Sequence, residues 1–579
     1  MFSGLTDAIS REKVAWKGLH QSIIQLDRLG GTGVECTTVD SINSIICPNY
    51  LAFQERLLYF QTELNGLLFT NLIPMDMIHS LFLTYFSLSD CSTAHFNKPH
   101  KAYCYADISL ITAVVYVVVI FTQNSTHVFH HQLPASFDQL SSLALSLFNL
   151  SKFKRKKTHQ VLLSLIVVRT GLFVFDNAER MNELTGTYQT FQLVLDLCYQ
   201  MGLYTDPDTT SIVMLKEKTK ARLLSGSRVR ELWNYMQTQD AFYSLKMGTP
   251  LLINYDFCQG FYRSSDLPFE GKREEGVMLM RELSIIINSP RPVSIRDLLD
   301  VIHKVIQYCR PDNEGIDDLD EVAYLFKQRL ILAQSLEFLF RMAIVGIRDL
   351  NGPDELSREL FRQLALSAVT ILYQIREVFS GKTVFGEDRN GKYIVYFKDV
   401  FARSLGQSFL TWFTFLLPSA TENSVLLGEL ERQAMIFEYP TEAPYLYEID
   451  LRVLERALYH EENVELGEQL FARIINSSEL MAFATTFYDL LCQSDVMKSS
   501  LNSFLTIKLV IIWAYVVQTF EECKGMGIRP SVPEIIRRAR GKVEADFSSG
   551  RLDTKKFVSE GEELEQILDS IFEDEWMRG

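Results

Sequence analysis

Three histidines within five positions, His127, His130 and His131, come nearest to the spacing of a metal site. No cysteine or carboxylate joins them at ligand spacing, so no metal is expected there. Nine cysteines lie at 36, 47, 91, 104, 198, 258, 309, 492 and 523, and no two have CxxC spacing. Neither a zinc site nor a redox dithiol is signalled, and such dispersed thiols suit buried positions in a reducing compartment. The chain has no P-loop, Gly-x-Gly-x-x-Gly, His-Glu-x-x-His or Gly-x-Ser-x-Gly. With no nucleophile–base pair or metal set in view, an enzyme is not expected.

One carboxylate is nevertheless out of place. At 100° per residue, Val229, Leu232, Trp233, Met236, Tyr243 and Met247 share one helix face, and Asp240 sits in the middle of it. Tyr235, Phe242 and Leu245 fall on the opposite side. A helix apolar on both sides belongs inside a helical domain. A carboxylate there needs a positive partner or several N–H donors. Two readings follow: Asp240 holds the next loop in place, or it lines a ligand cavity. Gly248 suits the left-handed position that ends a helix, and Pro250 forbids continuing it.

The elements that position these residues are helical. The chain has 579 residues, more than one compact core needs, and 47% are apolar, including 39 Phe and 24 Tyr. Only 29 Gly and 16 Pro argue against a turn-rich β protein. Residues 1–55 read as a leader. Helical spacing then runs through Met75–Phe86, Phe137–Leu150, Gln160–Phe175, Gly186–Met201, Lys216–Met247, Glu275–Ile287, Ile295–Tyr308, Leu319–Arg348 and Asp354–Phe379. It resumes in Lys398–Pro418, Ser424–Phe437, Ile449–Asn476, Glu479–Leu491 and Asn502–Cys523. Ser87–Lys101 reads as a loop, and Asn390-Gly391 predicts a small hairpin within Gly381–Lys392. Residues 526–558 read as a linker.

The formal charge of −15 disfavours direct nucleic-acid binding, which needs clustered Lys and Arg. Lys152, Lys154, Arg155, Lys156 and Lys157 form one basic run, read either as a nuclear-localisation patch or as a solvated loop. Met1–Lys13 lacks an apolar signal core. Ile108–Thr122 is apolar, but its 15 residues fall short of the roughly 20 that span a bilayer, so a buried core helix is expected.

Three stretches together resemble the fungal-specific transcription factor domain, the middle homology region of zinc-cluster regulators. The first is Arg228–Pro268, where Arg228, Arg230, Trp233, Asp240, Gly248, Pro250 and Asp266-Leu267-Pro268 match an Arg-x-x-Trp…Asp…Gly-x-Pro…Asp…Leu-Pro pattern. The family commonly has Trp-Trp and Asp-Arg; here Asn234 stands at the second Trp and Ala241 follows Asp240. The second is Gln192–Pro207, where Gly202, Leu203, Asp206 and Pro207 match and Tyr204 replaces the usual His. The third is Leu72–Phe86, similar to the family's Leu-Pro…Tyr-Phe helix.

The resemblance implies an all-α regulatory domain over residues 55–525, acting in the nucleus on RNA polymerase II transcription. Drug-resistance and sterol regulators of that family bind small apolar ligands, so such a ligand is implied here, as is a homodimer. The family's six-cysteine zinc cluster is absent, so no cofactor is expected in this chain. Zinc and DNA would enter only through a separate module, and no membrane contact is expected.

The last segment, 559–579, carries eight acidic residues and one arginine. Leu564, Ile567, Leu568, Ile571 and Phe572 follow helical spacing, with Trp576 beyond. Acid keeps such a segment solvated while its apolar stripe can dock on a coactivator as it folds. An ordinary terminal helix packed on its own domain is the other reading. For the whole chain, the alternative is an α-solenoid scaffold that binds protein partners.

Overall fold

The computed structural model describes residues 35–88, 93–175, 186–208, 224–263, 267–291, 293–309, 315–349, 354–411, 487, 489–498, 501–528 and 530–549. Among them the chain is all-α apart from one two-stranded ribbon. The first helices are α1 (Glu35–Ile45), α2 (Tyr50–Tyr59), α3 (Asn65–Phe69) and α4 (Met75–Tyr85), with a π-helical turn, Phe60–Leu64, joining α2 to α3. Strands β1 (Phe86–Leu88) and β2 (Ala94–Phe96) pair antiparallel, Phe86 opposite Phe96 with stacked rings. Helices α5 (Tyr105–Thr122), α6 (Phe137–Leu150), α7 (His159–Phe175), α8 (Gly186–Gln200) and α9 (Gly226–Met247) follow. Then come α10 (Pro268–Ile287), α11 (Ile295–Tyr308), α12 (Leu319–Asp349), α13 (Asp354–Phe379) and α14 (Lys392–Thr411). The last are α15 (Asp495–Lys498), α16 (Leu501–Gly525) and α17 (Val532–Ser548).

Local chemistry sets many ends. Ser136 and Gln139 form a capping box before α6, and Ser294 caps α11. Ser225 caps α9, so that helix begins at Gly226, inside the expected Lys216–Met247 run. Pro268 opens α10, seven residues before the expected Glu275, because proline is favoured in a first turn. Gly248 ends α9 with φ of 63°, the left-handed conformation expected of it.

Helix α5 is the hub of the first half. Apolar on all sides, it packs between α6 and α7 and under α2. By length and composition it could cross a bilayer, but 89% of that stretch is buried inside the protein. Its buried polar side chains find partners on neighbouring elements: Tyr85 donates to Asp107 Oδ2 at 2.7 Å, and Ser109 meets Ser164 at 2.6 Å. In the second half, α14 packs on α12, α13 and α16.

Three expectations are corrected. Residues 35–55 are not a leader: α1, α2 and the turn between them bury Ile42, Ile46 and Phe53, an apolar row hidden among Thr, Ser and Cys. The 526–558 segment contains α17, which buries Ile535, Ala539 and Val543 against α16. The strand pair is Phe86–Leu88 with Ala94–Phe96, largely within the expected Ser87–Lys101 loop, and none forms at Asn390-Gly391. There the chain turns straight into α14, and Asn390 Oδ1 instead accepts from the N–H groups of Asp495 and Val496, opening α15. Ser424–Phe437 and Ile449–Asn476 lie outside the described residues.

Candidate functional site

Helix α9 has two working faces. The first clamps the loop that follows it. Trp233, fully buried, donates its indole N–H to the Gln259 carbonyl at 2.8 Å. Asn234 bonds Tyr262 twice, accepting from its N–H at 2.8 Å and donating to its carbonyl at 2.6 Å. Gln237 accepts from the Tyr255 hydroxyl at 2.5 Å. One turn on, Asp240 accepts from Leu252 N–H at 2.9 Å and Ile253 N–H at 3.0 Å. Arg281 of α10 pairs with Asp240 at 3.3 Å and stacks on the Tyr255 ring at 3.9 Å. Burial pushes the Asp240 carboxyl above the usual range, against the pull of its two N–H donors and Arg281. Asp240 therefore organises a loop. It does not line the nearby cavity, the other role its position allowed.

The first turn of α9 joins distant stretches. Arg228 donates to the Asn71 carbonyl, beside Leu72. Arg230 pairs with Asp206 at 2.9 Å and with Asp208. Gly202 adopts φ of 73°, which suits glycine, and ends the turn after α8. Pro207 packs against Gly226 at the start of α9. Pro250 follows the helix end in irregular backbone. The residues picked out at 202–207 and 228–250 thus meet around one helix. Asp266 and the apolar row Leu564, Ile567, Leu568, Ile571, Phe572 and Trp576 lie outside the described residues.

The opposite face of α9 borders a cavity. It is enclosed by α3, α7, α9, α10, α12 and α14, is open on one side, and measures about 100 Å3. Leu68, Phe69, Phe242, Met280 and Ile331 give it apolar walls. Tyr235, Tyr324 and Tyr396 add phenols, and Arg169, Arg273 and Lys327 add three cations. No carboxylate lines it.

The cations differ in their partners. Arg273, 2% exposed, pairs with Glu231 at 3.1 Å and Glu270 at 3.4 Å. Arg169, also 2% exposed, donates to Tyr235 Oη at 3.1 Å and Gln239 Oε1 at 2.7 Å, both neutral. Its Nε–H has no partner. The Lys327 ammonium lies 4.2 Å from the centre of the Tyr396 ring. Burial, and the nearby Arg403 against the pull of Asp399, lower its pKa to about 8. Asp399 stands beyond the lining and is bonded by Arg403 at 2.8 and 3.1 Å. Burial opposes its ionisation, but Arg403, Lys246 and Lys327 outweigh that and hold its carboxyl below the usual range.

Sequence reasoning missed Arg169 and Lys327. The available signal was a lone arginine in the otherwise apolar run Val161–Phe175. Of the three histidines, His130 and His131 donate backbone N–H groups to Glu55, and His127 packs on Tyr59 and Phe129. In the basic run, Lys156 covers the Tyr103 ring at 4.0 Å and Lys154 and Arg155 are exposed. Comparison with protein-family models, with curated proteins and with solved structures finds no match for this chain.

Proposed function

We propose that the chain is the regulatory and activation region of a fungal transcription factor of the zinc-cluster kind. It works in the nucleus as a helical domain that restrains an acidic C-terminal segment and answers to a small ligand. One observation carries the reading. The stretches that bear the resemblance, near Leu72, at Gly202–Pro207 and at Arg228–Pro250, are stitched together by Arg228 and Arg230 on α9. The same helix, on its other face, borders the ligand-sized cavity. A helix that clamps a loop on one side and walls a cavity on the other can pass occupancy to the rest of the domain.

The α-solenoid alternative finds less support. Solenoid layers contact only their neighbours along the stack, whereas α5 is enclosed by α2, α4, α6 and α7.

A reporter test separates the two readings. The full chain is fused to a foreign DNA-binding domain, and activation is compared with a form lacking Glu560–Gly579. Loss of activation on deletion is the expected result. Equal reporter output from both forms would overturn the proposal.

A further inference from the structure

We propose that the cavity beside α9 binds a small organic anion, a monocarboxylate with an apolar body, drawn by Arg169 and Lys327. This deepens the reading of the chain as a ligand-responsive domain and rests on it only for its biological meaning.

The argument begins with charge. A fully buried arginine is normally paired with a carboxylate, because desolvating an ion without a counter-charge is costly. Arg169 is buried and forms no ion pair among the described residues. Tyr235 and Gln239 solvate it without neutralising it, and its Nε–H is unmatched while the side chain lines an open space. Lys327 lines the same space with its ammonium over the face of Tyr396, and Asp399 acts on it from beyond the lining. Arg273 differs: Glu231 and Glu270 already balance it, so it shapes the wall. Asp399, the nearby acid, is engaged by Arg403. Two cations thus face the cavity: Arg169 has no carboxylate partner among the described residues, and the acid that acts on Lys327, Asp399, stands beyond the lining and is bonded by Arg403.

The walls select the rest of the ligand. Phe69, Phe242, Met280 and Ile331 offer apolar surface, which a bare inorganic ion cannot use. The phenols of Tyr324 and Tyr396 supply neutral donors beside the cations. An apolar void of roughly 150 Å3 takes up benzene, so about 100 Å3 open on one side suits a molecule of that order. A sterol-sized compound exceeds it, since drug-sized pockets run to roughly 300 Å3 and more.

Titration calorimetry and thermal unfolding of the purified full chain test the assignment. The probes are benzoate, 4-methylpentanoate, inorganic phosphate and benzamide, a neutral analogue of benzoate. The carboxylates should bind saturably and raise the melting temperature, with benzamide at least about ten-fold weaker. Lys327→Met keeps the length and apolar stem. It should stay folded by circular dichroism and lose at least about ten-fold in benzoate affinity. Benzamide binding as tightly as benzoate, phosphate binding more tightly than either carboxylate, or unchanged affinity in Lys327→Met would each overturn the proposal. So would the absence of heat and of any melting shift with both carboxylates at about 10 mM, where even a millimolar site is mostly filled. None of these outcomes depends on transcription, so they fail or succeed separately from the reporter test.

Discussion

Asp240 and Arg281 face each other at 3.3 Å and bracket Ile253 between them. The carboxylate takes the Ile253 N–H at 3.0 Å, and the guanidinium donates to the Ile253 carbonyl at 2.6 Å. Both side chains are buried, so neither can turn to water for a substitute partner. Removing one member of such a pair strands the other, at about 3–5 kcal/mol. Asp240→Ala should therefore cost about that much, read from denaturant midpoints at constant slope. Asp240→Asn keeps one acceptor and should cost less. A loss under about 1 kcal/mol in Asp240→Ala would mean that the loop is not held by this pair.

Asn234 occupies the place where the resembled family commonly has a second tryptophan. Here it closes a two-way bond with the Tyr262 backbone. Asn234→Ala leaves a backbone donor and acceptor to be met by water, at about 1–3 kcal/mol each where they are buried. Asn234→Trp should not rescue the loss, because indole has a donor but no acceptor. If thermal unfolding shows Asn234→Trp as stable as the parent, packing rather than bonding governs this position.

The helices legible in the sequence were those whose ends carry their own chemistry. Ser136 and Ser294 cap α6 and α11, which begin at the expected residues, Phe137 and Ile295. For α5, the Val-rich run fits strand or helix by period, and its neighbours on every side decide for helix. Asn390-Gly391 misled because the turn that closes a hairpin also lets a chain enter a helix. Asp240 was legible as a carboxylate in an apolar stripe, but its partner Arg281 lies 41 positions on, with no local pattern to link them. The cavity was hidden for the same reason. Its cations come from positions 169, 273 and 327, and only packing brings them to one space.

Anion binding should weaken with rising pH, and Lys327 sets the window. Around it stand Arg169 and Arg273 on the cavity wall, Lys246 and Arg403 as further cations, Asp399 as the acid, and Tyr324 and Tyr396 as phenols. Its folded pKa of about 8 lies below its ordinary value of 10.5. Below pH 8 it is charged and attracts an anion; above it the charge is lost. A bound carboxylate favours the ammonium form, so binding takes up a proton and benzoate affinity should fall steepest just above pH 8. For the free protein the sign is opposite. Between pH 8 and 10.5 the unfolded chain holds the proton that the folded chain has shed, so stability should rise with pH there. Lys327→Met should flatten the affinity profile, while the stability profile keeps a rise from buried Lys246, whose pKa is also lowered by burial. A pH-independent benzoate affinity from 7 to 10 in the parent would refute the role of Lys327.

Gly276 offers a way to close the cavity without touching its charges. On α10, a Cβ at this position would stand 2.3 Å from Cδ of Gln328 on α12, far inside van der Waals contact. Gln328 is buried, lines the cavity, and accepts from the Tyr308 hydroxyl at 2.6 Å. In Gly276→Ala its amide must give up that bond and swing away, and the cavity is the open space beside it. The variant should lose about 1–3 kcal/mol from overpacking. It should also lose benzoate affinity by at least about ten-fold while Arg169 and Lys327 remain in place. A second change, Gln328→Ala, removes the displaced amide and should restore binding without restoring full stability. Unaltered benzoate affinity in Gly276→Ala would place the ligand elsewhere, because the methyl group cannot enter without taking volume from the cavity or its wall.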